Sequence, residues 1–288
     1  MLKLSASSML ALAAIAVVAP STLAACPDFS LGEAGWEQQL KFNGDAKANG
    51  DFLRVVPATL GAATGSAFLK QTCMLDENSS FETHFTFKME NPADPGTGTD
   101  GFAFVMHSDP RGAKAIGGEG GNLGYGGNPA GSMLPIRITP SVAIEFDIYK
   151  NPEDANGKHP GSNNDNHVGI NINGELESEF AVNPEVNLKS GKLIDAWIAY
   201  DGVADLLSVS LREEGSNLVN FLPSFSLNLF ATLGPEFYVG FTGSQVGVPT
   251  NIDIVAWGDS KTVPEPAAIV GLGVVAAALQ LVKTRKRA

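Results

Sequence analysis

An antiparallel β-sandwich, all-β and built of two packed sheets, is what this sequence predicts. Three observations carry the expectation. Short runs alternate apolar and polar residues with a period of two, the mark of strands buried on one face only. Clusters rich in Gly, Pro, Asn and Asp separate these runs as turns. Between Cys26 and Lys261 no stretch of eleven residues or more repeats its apolar positions at helical spacing. Many strands joined by loops, with no helix pattern to cover a sheet, bury their apolar faces by packing sheet on sheet.

The elements follow in chain order. Phe81, Thr83, Phe85 and Phe87 share one face of a strand, and Glu82, His84, Thr86 and Lys88 share the other. A turn cluster at 91–99 precedes a continuously apolar run at 101–106, and a glycine-rich stretch at 117–131 precedes a second such run at 142–146. Runs of this kind belong to strands covered on both faces. An acidic, Asn-rich loop at 152–166 leads to a strand opened by His167. Leu207, Val209 and Leu211 alternate with Ser208, Ser210 and Arg212; Phe237, Val239 and Phe241 repeat the pattern before a last turn cluster at 243–251. Trp36, Trp197 and Trp257 are expected in the core and His84 on the exposed face. Residues 26–262 show no break in composition, so one domain is expected there.

Composition narrows the function. Of 288 residues 44% are hydrophobic and 17% charged, ordinary globular values that leave material for a core. The net charge of −12 argues against nucleic acid, whose backbone needs a basic face, and suits neutral ligands and cations. The glycines at 117–127 are not a phosphate loop, because no helix pattern and no Gly-Lys-Ser/Thr follows them.

Both ends have the character of address labels. Lys3, an apolar run at 9–20 and the small residues to Ala25 form the three parts of a secretory signal, residues 1–25. At the other end, residues 263–288, Pro264-Glu265-Pro266 leads into an apolar stretch at 267–282 and then Lys283, Arg285, Lys286 and Arg287. As a helix that stretch spans about 24 Å, short of a bilayer core of about 30 Å unless the basic end snorkels. The three parts in this order resemble the PEP-CTERM sorting tail of Gram-negative and cyanobacterial envelope proteins. That resemblance implies transient anchoring, then removal of the tail by an exosortase-type membrane protease. Cys26 and Cys73 permit one disulfide in an exported chain. Leu23-Ala24-Ala25-Cys26 also reads as a lipoprotein cleavage box, so lipidation of Cys26 is the competing fate.

The densest chemistry lies at Glu145-Phe146-Asp147-Ile148-Tyr149-Lys150-Asn151 and Asn166-His167. On a strand, Glu145, Asp147 and Tyr149 point to one face. Carboxylate, amide and carbonyl oxygens suit Ca²⁺, while carboxylates with one imidazole suit a neighbouring transition ion such as Mn²⁺. The plain alternative is a solvated polar loop between two strands.

Ala143-Ile144-Glu145-Phe146-Asp147 through Tyr149 and Asn151, then Asn166-His167-Val168-Gly169-Ile170, resembles the metal-binding segment of the legume (L-type) lectins. Thr99-Asp100-Gly101-Phe102 resembles the segment with that family's sugar-binding aspartate, and Gly120-Gly121-Asn122-Leu123-Gly124-Tyr125 its glycine loop. Tyr238–Gly243 and Ile254–Trp257 resemble its last two strands. These blocks stand in family order over residues 81–257.

The resemblance implies a concanavalin A-like jelly roll that binds glycans or exopolysaccharide, with Ca²⁺ and Mn²⁺ or a similar ion as cofactors. It places Glu145, Asp147, Asp154 and His167 on the transition ion. Asp147, the Tyr149 carbonyl, Asn151 and Asp154 fall to Ca²⁺. Sugar would meet Asp100, the Gly121 N–H, the Asn151 amide and the Tyr149 ring, with a cis peptide at Thr99–Asp100. Asp154 lies farther before His167 than the family's bridging aspartate usually does, which keeps Asp165 as an alternative. The loop at 243–251 has no detailed match, so the sugar stays open. A homo-oligomer joined through sheet edges is a further expectation.

Two other classes stand beside a sugar-binding protein. A laminarinase-type hydrolase of this fold carries a second catalytic carboxylate after Glu-x-Asp, where this chain has Tyr149 and Lys150, and no Ser-His-Asp or Cys nucleophile replaces it. The expectation is therefore not an enzyme. A structural envelope or matrix protein with this fold and no sugar binding is the other; retention of Asp100, Gly121 and Asn151 argues against it.

Overall fold

The computed structural model describes residues 22–127, 137–151 and 164–258. The leader through residue 21, Asp154 and the tail from residue 259 lie outside the described residues. Strands β1 (Thr22–Leu23), β2 (Leu40–Gly44), β3 (Lys47–Asn49), β4 (Phe52–Val56), β5 (Ala62–Leu69) and β6 (Cys73–Met74) come first. The middle of the chain gives β7 (Ser79–Glu90), β8 (Gly101–His107), β9 (Ser141–Asp147), β10 (His167–Ile172) and β11 (Phe180–Val182). The last third adds β12 (Ile194–Asp201), β13 (Leu206–Glu213), β14 (Asn220–Phe221), β15 (Phe225–Ser226), β16 (Glu236–Val246) and β17 (Asn251–Gly258).

They form the expected two-sheet antiparallel sandwich. One sheet runs β14-β13-β12-β7-β17-β4-β3, with β1 beside β7 and β15 beside β13; the other runs β11-β10-β9-β8-β16-β5-β2, with β6 beside β16. The one parallel pair among the described strands is β1 with β7. The first sheet ends in β3 and β14, three and two residues long, so its edges offer little ladder to another chain.

Phenylalanines join the two sheets. Phe85 and Phe87 of β7 are fully buried and meet Phe102, Phe104, Phe146 and Phe241 of the opposite sheet. Phe102 and Phe146, paired across β8 and β9, stack at 4.7 Å. The continuous apolar runs have the expected cause. Phe102, Phe104, Ile144 and Phe146 face the sandwich core, while Ala103, Val105 and Ala143 face a second core made with Phe68, Leu123, Tyr125 and Ile138. The glycine-rich segment thus lies over the outer face of β8 and β9, where it can reach polar residues on that face.

Several local details depart from the sequence expectation. Two single-turn helices occur, α1 (Trp36–Gln39) and α2 (Leu229–Leu233), too short to leave a periodic signature. The Asn228 side chain caps the second by accepting from the Ala231 N–H at 2.7 Å. Strand β16 continues through Gly243 to Val246 where a turn is expected; Gly243 pairs with Gly65 and packs tightly under Val55 and Val56, where a Cβ would lie 3.1 Å from a methyl of each. All three tryptophans are buried. His84 is half-buried, 3.2 Å from Asp195 and against the ring of Trp197.

Cys26 and Cys73 are joined in a disulfide, and Cys73 is fully buried. That bond uses the sulfur that lipidation of Cys26 would need. Among the described residues no helix is long and apolar enough to cross a membrane; the stretch at 267–282 lies outside them.

Candidate functional site

Asp147, the last residue of β9, pairs with Gly101 of β8 on one side and with His167 of β10 on the other. Glu145, two residues earlier, pairs with Gly169. The strand period therefore puts both carboxylates on one face beside the imidazole, all three almost wholly buried. Gly169 is a requirement of this packing: a Cβ there would fall 2.2 Å from Glu145 Oε1.

The Glu145 carboxylate is held from three sides. Ser178 donates to Oε1 at 2.7 Å, the Tyr125 hydroxyl donates to Oε2 at 2.6 Å, and His167 Nε2 lies 3.4 Å from Oε1. Burial opposes its charge, yet the hydrogen bonds of His167, Tyr125 and Ser178 hold its carboxyl below the usual range. His167 Nδ1 lies 3.2 Å from the Asn164 carbonyl, which can only accept, so Nδ1 carries a proton. In a neutral ring Nε2 then presents a lone pair to a carboxylate oxygen. A protonated ring donates from Nε2 to that oxygen and so favours the Glu145 carboxylate, while a neutral ring leaves two acceptors that a cation would bridge.

Asp147 Oδ1 accepts the Tyr149 N–H at 2.6 Å, which turns the chain out of β9 toward Asn151. Among the described residues no three His, Cys, Asp or Glu side chains converge as a complete metal cluster. The donor types nonetheless fit a transition ion, with two carboxylates and an imidazole oriented by a backbone carbonyl. Asp154 lies outside the described residues. Asp165 is mostly exposed and ion-paired with Lys189.

Asp100 sits at the same end of the sheet. The Thr99–Asp100 peptide is cis. The Asp100 N–H donates to the Ser244 carbonyl at 3.1 Å, and its carbonyl accepts the Ile148 N–H at 2.9 Å. Thr99 is tied to the last loop through Thr250 Oγ1 at 3.0 Å and the Val246 carbonyl at 2.7 Å. From the glycine segment, Gly120 donates to Ser244 Oγ at 2.8 Å. Gly121 then lies so close to Asn151 that a Cβ on it would fall 2.4 Å from Asn151 Nδ2. An open cleft remains, lined by Asp100, Glu119, Asn122 and Tyr149 with Val246 and Val248 of the last loop. Tyr149 is 45% exposed, its ring free to pack against a ligand.

Asp100, Tyr149, Glu145, Asp147 and His167 thus gather at one end of the second sheet, joined there by Gly121 and Asn151. Sequence reasoning missed Ser178, Ser244, Thr250 and the lining residues Glu119, Val246 and Val248. Asn122 and Tyr125 belong to the glycine loop that the resemblance marks, but it gives neither a role. Nothing in the local sequence marks a serine as the partner of a carboxylate 33 residues away.

Known proteins resemble this chain in sequence and in fold. The chain is 37% identical over 184 residues to an L-type lectin-domain containing receptor kinase VIII.1 of Arabidopsis thaliana, a match covering 62% of this chain and 23% of that protein. The chain therefore spans about a quarter of the length of that relative. The seed lectin of Lotus tetragonolobus superposes with a TM-score of 0.66 at 27% identity, covering 83% of this chain and 100% of that one. The lectin from Bauhinia forficata in complex with GalNAc shares the fold, with a TM-score of 0.64 at 22% identity over 80% of this chain and 96% of its own. Residues 27–269 match the sequence model of the legume lectin domain, and the chain belongs to the legume lectin family.

Proposed function

We propose that this protein is a metal-dependent carbohydrate-binding protein, exported to a bacterial cell envelope or matrix. The observation that carries the reading is the meeting of three separate segments at one end of the sheet: Asp100 and Tyr149 line one open cleft, and Gly121, between the lining residues Gly120 and Asn122, packs against Asn151. Such a set suits a sugar ring. The Asp100 carboxylate accepts from two adjacent hydroxyls, the Gly121 N–H and the Asn151 amide add directed partners, and the Tyr149 ring covers a C–H face. Membership of the legume lectin family, and a fold relative captured with GalNAc, support a glycan ligand.

Glu145, Asp147, His167 and Asp154 would hold a transition ion; Asp147, the Tyr149 carbonyl, Asn151 and Asp154 would hold Ca²⁺. The bound ions supply fixed positive charge between groups that otherwise repel. Asp147 and Asn151 then stand between the metal pair and the sugar, so metal and sugar binding are coupled. Asp154 is favoured over Asp165, whose carboxylate is engaged by Lys189. A binding protein rather than an enzyme is supported by the lectin family match and by Tyr149 and Lys150 standing where a second catalytic carboxylate would be needed. The leader at 1–25 would export the chain, and the tail at 263–288 would anchor it until an exosortase-type protease removes it.

The test is a glycan array run with Ca²⁺ and with chelator, a reducing-sugar assay on each hit, and metal analysis. Glycan binding lost on chelation, with no reducing sugar released, is the expected result. Binding that ignores chelator in metal-free protein would remove the metal from the account, and turnover of the glycan would make the protein a hydrolase.

A further inference from the structure

We infer that the cleft is charge-selective, taking glycan ends that are neutral or carry an amino group and rejecting those that carry a carboxylate, with Glu119 as the determining residue. This rests on the sugar-binding reading of the same cleft and goes beyond it by naming the class of sugar.

Two carboxylates line the cleft, Asp100 at its floor and Glu119 at its rim, and no Lys or Arg does so among the described residues. Glu119 is exposed and makes no ion pair among the described residues, so its charge is not neutralised locally. Its place is fixed by its backbone. The Glu119 carbonyl accepts the Asn122 side-chain amide at 2.7 Å and the Asn122 N–H at 3.3 Å, which ties it to the turn presenting Gly121. Lys150, adjacent in sequence to Tyr149, does not line the cleft, and its charge acts on Asp165 instead.

The lining also has an apolar part. Val246 is 42% exposed and lies against Gly120, and Val248 continues the wall. An uncharged ring can set its C–H face there while its hydroxyls meet Asp100. Against the +4 of the two proposed ions, Glu145, Asp147 and Asp154 set −3, so Asp100 and Glu119 leave the site at −1, and a uronic acid or sialic acid adds a further negative charge in a chain of net charge −12. Because Glu119 sits in water, the penalty is modest and salt-screened, on the order of three- to tenfold in affinity. An ammonium on the sugar reverses its sign.

The test is competition calorimetry on the full chain with Ca²⁺ and Mn²⁺ present. The probes are galactose, galactosamine and galacturonic acid, with glucose, glucosamine and glucuronic acid as the second series. In whichever series binds, the amino sugar should bind at least as well as the neutral one. The uronic acid should be weaker by about three- to tenfold, a gap that narrows in 0.5 M salt. Glu119→Gln should raise the uronic-to-neutral affinity ratio toward one. A uronic acid that binds wild-type protein as well as the neutral sugar, or a ratio unmoved by Glu119→Gln, overturns the charge selection and leaves sugar binding standing. No binding by any sugar in either series or on the array overturns both.

Discussion

Replacing Gly121 by alanine should weaken sugar binding while leaving the fold in place. The added Cβ would lie 2.4 Å from Asn151 Nδ2, against an ordinary contact of about 3.4 Å, so the Asn151 amide must retreat by about 1 Å. A hydrogen bond stretched by that much is lost. The Asn151 amide and the Gly121 N–H are both displaced, and two neutral hydrogen bonds at about 0.5–1.5 kcal/mol each give about 1–3 kcal/mol. That is about a five- to 150-fold rise in Kd. Stability should change by about 1 kcal/mol or less, because Gly121 is half-exposed and not in the left-handed region. Its neighbour Gly120, at φ 64°, is the contrasting control, since alanine there strains the backbone itself. Calorimetry with an array-identified sugar, beside a thermal melt, measures both effects. A Gly121→Ala protein that binds with wild-type affinity would refute the placement of Gly121 and Asn151 at the sugar.

Other outcomes follow from the same geometry. Removing the Cys26–Cys73 bond, which closes a span of 47 residues, should cost about 4 kcal/mol and lower Tm by about 10 °C, read by melting the double serine variant or the reduced protein. An unchanged melt would mean that the bond does not form. His107 is fully buried, its Nδ1 accepts the Asp109 N–H, and burial presses its pKa from 6.5 to about 4. Its folded pKa is depressed, so the unfolded chain binds the extra proton between those values and stability falls as pH drops from 6.5 to about 4, by about 3 kcal/mol. Urea midpoints at pH 7 and 4.5 should show this slope in wild type and a flatter one in His107→Leu; equal slopes would contradict it. Envelope-derived protein should end near Pro264-Glu265-Pro266 by mass spectrometry, and an intact Ala288 terminus would reject sorting by cleavage.

Much of the fold was legible because its strands carry their burial in their sequence. Alternation along β7 marked its two faces, and the unbroken apolar runs of β8 and β9 marked strands covered twice, as the second core under Tyr125 and Leu123 bears out. The single-turn helices were not legible, since four or five residues cannot show a period of 3.6. Site residues were legible where they sit close together in sequence, as Glu145, Asp147 and Asn151 do. Ser178, Ser244 and Thr250 were not, because each reaches its partner only through sheet pairing or loop closure. Glu119 escaped notice for another reason: a charged residue in a glycine-rich loop is ordinary until the cleft beside it is seen.

The most direct test of the central claim is calorimetry of wild-type and Asp100→Ala protein with one array-identified glycan, paired with metal analysis of both. In the proposed site Asp100 meets the sugar and is not among the residues assigned to the ions. The account therefore predicts that Asp100→Ala retains its metal complement and loses measurable sugar binding, two hydrogen bonds to a carboxylate being worth about 1.5–3 kcal/mol each. Normal glycan affinity in Asp100→Ala would contradict it, leaving the lectin fold with its binding face elsewhere.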